Sequence, residues 1–289
     1  IVDNASSDDT VQQILNATAQ AEIIQNETNV WFSKGMNQAL AKVKSEFVLF
    51  LNPDALLTPE SLSVLGQAIN TRLNIGAVTG KVMRHGKKLD GFGVAATRAR
   101  QFYNRGEGEE DTHQYDQQKT FGVSGGFALF RMSALRSIAI QGEILDEDFV
   151  AYKDDVDLSY RLRLAGWDIL TIPEVVGSHQ RTIDAPHNRS DQSKAKNRGR
   201  FSLEVRRFST RNHLWTLVKN EPWLNLVLDF PWIAWYEFKK FAYILLADQK
   251  VLSAYGQFWL KLPRMIKKRR WIQRQRKISP KTLRQVCRN

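Results

Sequence analysis

The amino-acid sequence predicts an α/β fold: an open, mostly parallel sheet flanked by helices, with a helical extension at the C-terminal end. Three observations predict it. Short apolar runs alternate with amphipathic stretches through the first part of the chain, the spacing of successive strand and helix units. One of those runs, Phe47-Val48-Leu49-Phe50-Leu51, is apolar at every position, as in a strand covered on both faces. Beyond about Ser190 the pattern becomes helical and rich in Trp, Leu, Lys and Arg.

Taken in order, Ile1-Val2 ends a strand, and Asp3 to Asp9 is a turn capping a helix from about Thr10 to Ala21. Glu22 to Gln25 reads as a short strand, Asn29 to Gly35 as a loop, and Met36 to Val43 as a helix. Asn52-Pro53-Asp54 stops the apolar strand, and Thr58-Pro59-Glu60 starts another helix, with Thr58 as cap and Pro59 at its first position. Gly76 to Gly80 suits a further strand, whereas the polar, Gly-rich stretch from about Arg84 to Lys119 reads as a long surface excursion. Order returns with a strand at Gly125 to Phe130 and a helix near Met132 to Ile138. A helix from Asp154 to Ala165 ends at Gly166, and Trp167 to Ile172 is a strand. The expected division is a catalytic domain over 1–189 and a basic, Trp-rich helical region over 190–289. Because the chain opens in mid-strand, residue 1 is read as the cut end of a longer protein.

Composition narrows the classes. A single cysteine, Cys287, excludes a disulfide framework and a cysteine-based zinc site, so a reducing compartment is expected. The net charge of +12 is uneven: from Ser190 onward about 23 Lys and Arg face about 6 Asp and Glu. A basic tail of that kind meets nucleic acid or an anionic membrane. No apolar run reaches the roughly 18 residues that a spanning helix needs, since Leu224 to Phe238 is broken by Asp229, Pro231 and Glu237.

Three acidic segments carry the candidate chemistry. Asp54 stands just past the carboxyl end of the buried strand, where open α/β sheets bind ligands. It could hold a hard divalent cation that neutralises a pyrophosphate, although Asn-Pro-Asp also makes a plain turn. Asp3 ends the earlier strand beside a helix start, where a carboxylate can accept from a base ring N–H; plain capping by Ser6, Ser7 or Asp8 is the alternative. Between Asp146 and Asp157 six acids fall in a dozen positions, with Phe149 and Tyr152 among them. Asp154 and Asp155 lie at a helix start, where one of them could deprotonate an acceptor hydroxyl; a solvated acidic helix end is the alternative.

Taken together, the motifs resemble family-two glycosyltransferases of the GT-A fold, in particular a bacterial rhamnosyltransferase-like branch. They are Val2-Asp3-Asn4-Ala5-Ser6, Asn29 to Asn37, Leu51-Asn52-Pro53-Asp54, Gly125-Gly126-Phe127-Ala128, Asp154 to Leu158 and Val175 to His179, in the family's order. The resemblance implies that the nucleotide-diphospho-sugar transferase fold here lacks its first strand. It implies that Asp3, with Asn4 and Ser6, reads the nucleotide base, while Lys34, Gly35 and Asn37 lie along the nucleotide and its phosphates. Asp54 matches the last acid of the family's Asp-x-Asp metal motif, with Asn52 in place of the first. Gly125 and Gly126 would let backbone approach the donor sugar. Asp154-Asp155 match the family's acid pair, whose second member is the base, so Asp155 is the candidate. His179 matches a histidine that approaches the metal or the pyrophosphate.

The function implied is inverting, metal-dependent (Mg or Mn) transfer of a sugar, with rhamnose the branch's suggestion. A thymidine- or uridine-diphosphate sugar would be the donor and a saccharide or lipid-linked acceptor would receive it, in polysaccharide synthesis of the cell envelope. Six tryptophans among the cations of the C-terminal region, and Lys267-Lys268-Arg269-Arg270, suit an anionic membrane interface. The expected location is cytoplasmic, peripheral on the inner face of the membrane. The alternatives are a nucleic-acid-binding protein with a basic aromatic tail and a non-catalytic homologue. The acidic balance of the first 189 residues argues against a phosphate-tracking surface, so no nucleic-acid partner is expected.

Overall fold

A computed structural model describes residues 1–18, 20–84, 88–179 and 198–287. Strand β1 (Val2–Asp3) pairs in parallel with β2 (Ile24–Gln25), and helix α1 (Thr10–Ala17) connects them. Helix α2 (Trp31–Lys42) leads to β3 (Phe47–Leu51), β4 (Ala55–Leu57), α3 (Ser61–Asn70) and the long β5 (Ile75–Arg84). After β6 (Lys88–Gly91), β7 (Val94–Ala96) and β8 (Phe102–Asn104) come β9 (Phe127–Arg131), α4 (Met132–Ser137), α5 (Asp154–Leu164) and β10 (Asp168–His179).

The main sheet runs β3-β9-β5-β10-β4, with β6 hydrogen-bonded to the far end of β5. Strands β3, β5 and β10 share one direction, and β9 lies antiparallel between β3 and β5. The period-two alternation of a strand covered on both faces is visible within β5. Ala77 faces a core with Phe50, Phe130, Leu135 and Leu158, while Val78 faces another with Leu65, Ile69 and Val176.

Five expectations need correction. Helix α1 ends at Ala17, not Ala21, and α3 starts at Ser61 with Glu60, not Thr58, at its cap. Helix α2 starts at Trp31, not Met36: the Asn29 carboxamide accepts from the Trp31 N–H at 2.8 Å and turns the chain into the helix. Ser33 and Gly35 read as loop residues by propensity, yet both are buried where the helix packs closely. Strand β10 continues past Ile172 to His179, because Pro173 falls where the pairing with β5 is irregular and no ladder hydrogen bond is demanded of it. The stretch from Arg84 to Lys119 is no surface excursion in its described part. Leu89, Phe92, Val94, Ala95, Ala96, Arg100 and Arg105 are all buried there.

Among the described residues four α-helices follow: α6 (Leu203–Asn220), α7 (Trp223–Ala247), α8 (Ser253–Arg274) and α9 (Pro280–Val286). Ser202 caps α6 by accepting from the Val205 N–H, and Ser279 caps α9, which has Pro280 at its first position. The boundary expected at 189/190 lies outside the described residues. Trp215 of α6 is fully buried among Phe149, Phe258 and Met265, so the helices share a core with the segment before α5. Truncating such a side chain costs about 3–5 kcal/mol.

Candidate active site

The site is assembled at the ends of β1, β3 and β10 and at the start of α5. Asp3 closes β1 and is buried; its carboxylate accepts from the Ser6 N–H at 3.3 Å and from the Ser6 hydroxyl. Asn4 donates to the Trp31 carbonyl at 3.4 Å and accepts from Asn26 at 3.1 Å. Gly35 packs on this turn: a Cβ there would lie 3.5 Å from the Asn4 amide. Lys34, one residue earlier on α2, is exposed. Asn37 faces elsewhere. Its amide donates to the Leu145 carbonyl at 2.8 Å and accepts from the Leu145 N–H at 2.9 Å, and it donates to Glu147. That residue ties α2 to the acidic segment.

Sheet register brings Asp54 and His179 together. β10 runs antiparallel to β4 with His179 opposite Ala55, which sets the imidazole beside the preceding residue, Asp54. His179 Nε2 lies 2.9 Å from Asp54 and its Nδ1 lies 2.9 Å from Asp90, a residue of β6 that sequence reasoning missed. His179 and Asp90 are buried, whereas Asp54 is half exposed. The donor set suits a hard divalent cation: one accessible carboxylate and one imidazole, with the ring oriented from behind by a second carboxylate. A small cavity opens here, lined by Asp90, His179, Thr79, Asn104, Ser124 and Gly126.

Gly126 forms the opposite wall, and its lack of a side chain is required. A Cβ would meet the Asn52 amide at 2.7 Å, while Asn52 N–H donates to the Gly126 carbonyl at 2.9 Å. Gly125 continues this wall to α5, where its N–H approaches the Asp155 carboxylate at 3.4 Å. Asn52 thus braces the glycine pair from the position of the missing first motif acid.

The acidic segment divides into two groups. Asp146 is buried between Lys219 and Lys268, and Asp148 is held by Lys268 at 2.7 Å and by Lys261 at 2.9 Å. Asp157 pairs with Arg161 one turn on at 2.9 Å and with Lys219 at 2.9 Å, and accepts from Asn220 at 2.7 Å. Against the cost of burial, the Lys219 and Lys268 ammoniums keep Asp146 well below the usual carboxylate range; Lys219 and Arg161 likewise lower Asp157. Among the described residues, neither Asp154 nor Asp155 has such a partner. Burial, and then the charge of Asp155, push the Asp154 carboxyl up to about 8, and its Oδ2 has no hydrogen-bond partner. Asp154 therefore holds its proton more tightly than an ordinary carboxyl. Asp155, only partly buried, faces Gly125.

The loop that delivers this pair is held from the C-terminal helices. Val150, Tyr152 and Lys153 have φ of 68°, 68° and 66°, left-handed values that non-glycine residues rarely adopt. The Asn212 amide of α6 lies 2.8 Å from the carbonyls of Phe149, Ala151 and Tyr152, and the Ser33 N–H of α2 donates to Val150 at 3.0 Å. Asn212 and Lys219 had no signal in the sequence beyond being polar residues within helical stretches, and Lys268 read as part of an outward basic run. Asp111, His113 and Asp116 also cluster within 4.8 Å of one another. The buried Lys81 ammonium occupies that cluster, 2.9 Å from Asp111 and 2.8 Å from Asp116, and supplies its positive charge.

Architecture and site define a GT-A nucleotide-diphospho-sugar transferase fold with an added helical region. A model of the family described as glycosyl transferase family 2 matches residues 1–139. A crystal structure of GalNAc-T7 with UDP, GalNAc and Mn2+ superposes at TM-score 0.52 with 11% identity, over 75% of this chain and 41% of that one. The S. aureus TarS 1-349 structure in complex with UDP superposes at TM-score 0.52 with 16% identity, over 99% of this chain and 79% of that one. This chain thus spans less than half the length of the GalNAc-T7 chain it matches. No curated protein sequence matches it.

Proposed function

We propose that this protein is an inverting glycosyltransferase in which Asp155 is the general base. The observation that carries the reading is the division of the acidic segment: Asp146, Asp148 and Asp157 touch cations and brace the fold, Glu147 accepts from Asn37, and of the two that remain Asp155 faces the glycine wall. Of the two, Asp155 is the partly exposed carboxylate beside the glycine wall, placed to accept a proton from an acceptor hydroxyl there. In the reaction Asp155 takes the proton of an acceptor hydroxyl as that oxygen forms a bond to the anomeric carbon. The bond from that carbon to the diphosphate breaks, its electron pair leaving with the nucleoside diphosphate, and the configuration inverts.

A divalent cation, when bound, would stabilise the charge on the leaving diphosphate. Asp54 and His179 would hold it, and Asp90 fixes the ring of His179 through Nδ1. Asp3 and Asn4 would receive the nucleoside, against Gly35. The UDP and Mn2+ of the structurally similar proteins favour trying uridine donors with Mn2+ first, and thymidine-linked rhamnose next. The acceptor is read as a saccharide, free or lipid-linked, of a cell-envelope polysaccharide.

The test is release of nucleoside diphosphate from a panel of such donors with Mn2+ or Mg2+ and saccharide acceptors. For any active pair, Asp155→Asn should lower transfer by about 10² to 10⁴-fold with nucleotide affinity unchanged. Asp154→Asn should lower it far less. An Asp155→Asn protein that transfers at the normal rate would remove the assignment of the base. Activity lost only in Asp154→Asn would move the base by one residue.

A further inference from the structure

The outer face of α7 is apolar along its whole length. Trp223, Val227, Trp235, Phe238 and Leu246 are between 60% and 81% exposed, and Leu228, Trp232, Phe241 and Leu245 continue the stripe between them. Steps of three and four residues put these side chains on one side of a helix roughly 37 Å long, at 1.5 Å per residue. The face extends onto α8: the Phe241 ring packs edge-on against Tyr255 at 5.3 Å, and one turn further along are Trp259 and Leu260, 66% and 80% exposed.

Charge identifies the occupant. The two acids of α7 turn inward: Asp229 is fully buried against Arg98, Arg100 and Arg284, and Glu237 pairs with His213 and Lys240. Among the described residues of α6 to α9, Glu204 is the one exposed carboxylate, while Lys250, Lys267, Arg270, Arg274, Arg276 and Lys277 are exposed. A stripe of Trp, Phe and Leu without an outward carboxylate, bordered by cations, has the composition of a helix lying in an anionic lipid interface. No helix among the described residues is long and apolar enough to cross a membrane, so the helix would lie along the surface. The structure also revises which cations take part. Lys268 and Arg269 of the Lys267–Arg270 run point into the protein, toward Asp146 and Asp148 and toward the Val218 and Glu221 carbonyls.

We propose that α7 is a monotopic membrane-binding helix, inserted through its Trp223–Leu246 face into an anionic lipid surface, with the exposed cations of α8 resting on the headgroups. The proposal goes beyond the transferase reading and does not depend on it. The test uses the full chain and sedimentation with phosphatidylcholine vesicles, with and without phosphatidylglycerol. The variants are Trp235→Glu with Phe238→Glu, and Lys267→Gln with Arg270→Gln; these side chains are exposed, and thermal melting checks that each protein remains folded. Wild type should bind the anionic vesicles at least tenfold more tightly than the uncharged ones. The first variant should lose roughly tenfold or more of that affinity, and the second should lose mainly the anionic preference and the sensitivity to salt. A wild-type protein that ignores both vesicle types overturns the proposal. So does one that forms a dimer abolished by the Glu substitutions, which would make the face a contact between copies of the chain. Equal binding to both vesicle types, independent of salt, overturns the role given to the cations.

Discussion

Asn212→Ala perturbs the loop that presents the acid pair without touching either acid. The Asn212 amide has two hydrogens for three carbonyls at 2.8 Å, so it supplies about two full hydrogen bonds in a fully buried place. Each is worth about 1 kcal/mol net, and a buried carbonyl left without a donor costs about 1–3 kcal/mol. The loop also carries three left-handed non-glycine residues, at about 1–2 kcal/mol each, which these bonds help to offset. A loss of about 2–4 kcal/mol of stability follows, with a melting temperature lower by roughly 3–7 °C in a chain of this size. Well below that melting point, the freed loop should relax toward ordinary φ values and shift Asp155 against Gly125. A displacement of about 1 Å at such a position can cost 10²-fold in rate. The assay pairs thermal melting with transfer kinetics at low temperature, alongside nucleotide affinity, which is proposed to rest on the Asp3 side and should hold. If Asn212→Ala melts lower but keeps its turnover, Asn212 stabilises the fold and does not position the base. If both are unchanged, the loop is set by other contacts.

Other predictions concern metal and pH. Asp54→Ala should abolish the Mn2+-dependent part of nucleoside diphosphate binding in calorimetric titration, because Asn52 supplies no second carboxylate. Asp90→Asn should weaken Mn2+ affinity by about 10- to 100-fold, as expected for a group that orients a ligating histidine; unchanged affinity would mean that His179 does not bind the metal. The Asp154 carboxyl is raised to about 8 against an ordinary value near 4. Its contribution to stability is therefore complete below about pH 4 and is lost as pH rises through 8. Asp154→Asn should flatten that decline in urea unfolding curves measured from pH 5 to 9, and an unaltered slope would assign the decline to another group.

Much of the candidate site's placement was legible because its signals are local. Strand ends with carboxylates, paired glycines and an acid pair at a helix start each occupy a few adjacent positions, and the Asp157–Arg161 pair spans only a four-residue step. What was missed depends on distance along the chain. Asp90 meets His179 across 89 residues and Lys268 meets Asp146 across 122, and no periodicity reports such pairings. Burial reverses the meaning of composition in the same way. The Arg84–Lys119 stretch looked solvated because it is polar, yet Arg100 is fully buried against Glu221 and Asp229, which lie on the C-terminal side. The Lys267–Arg270 run looked like one basic patch, but a helix turns consecutive residues about 100° apart, so two of the four had to face inward.

The same buried pairs decide how the C-terminal helices can be studied. Ending the chain after Pro222 would remove the face proposed to bind vesicles, yet it would also take Lys268 from Asp146, leave Asp148 without Lys261 or Lys268, and deprive Arg100 of Asp229. Removing one partner of a buried ion pair costs about 3–5 kcal/mol, because the other charge stays buried alone. Two such losses approach the whole stability of an ordinary domain, about 5–15 kcal/mol. Trp215 would in addition lose Phe258 and Met265 from its packing. The truncated chain is therefore expected to be unfolded or aggregated, with no cooperative melting transition and no nucleotide binding. A soluble fragment 1–222 that melts cooperatively and binds nucleoside diphosphate would refute this. It would mean that Lys219 alone neutralises Asp146, and that the helices beyond it are an addition to a core complete without them.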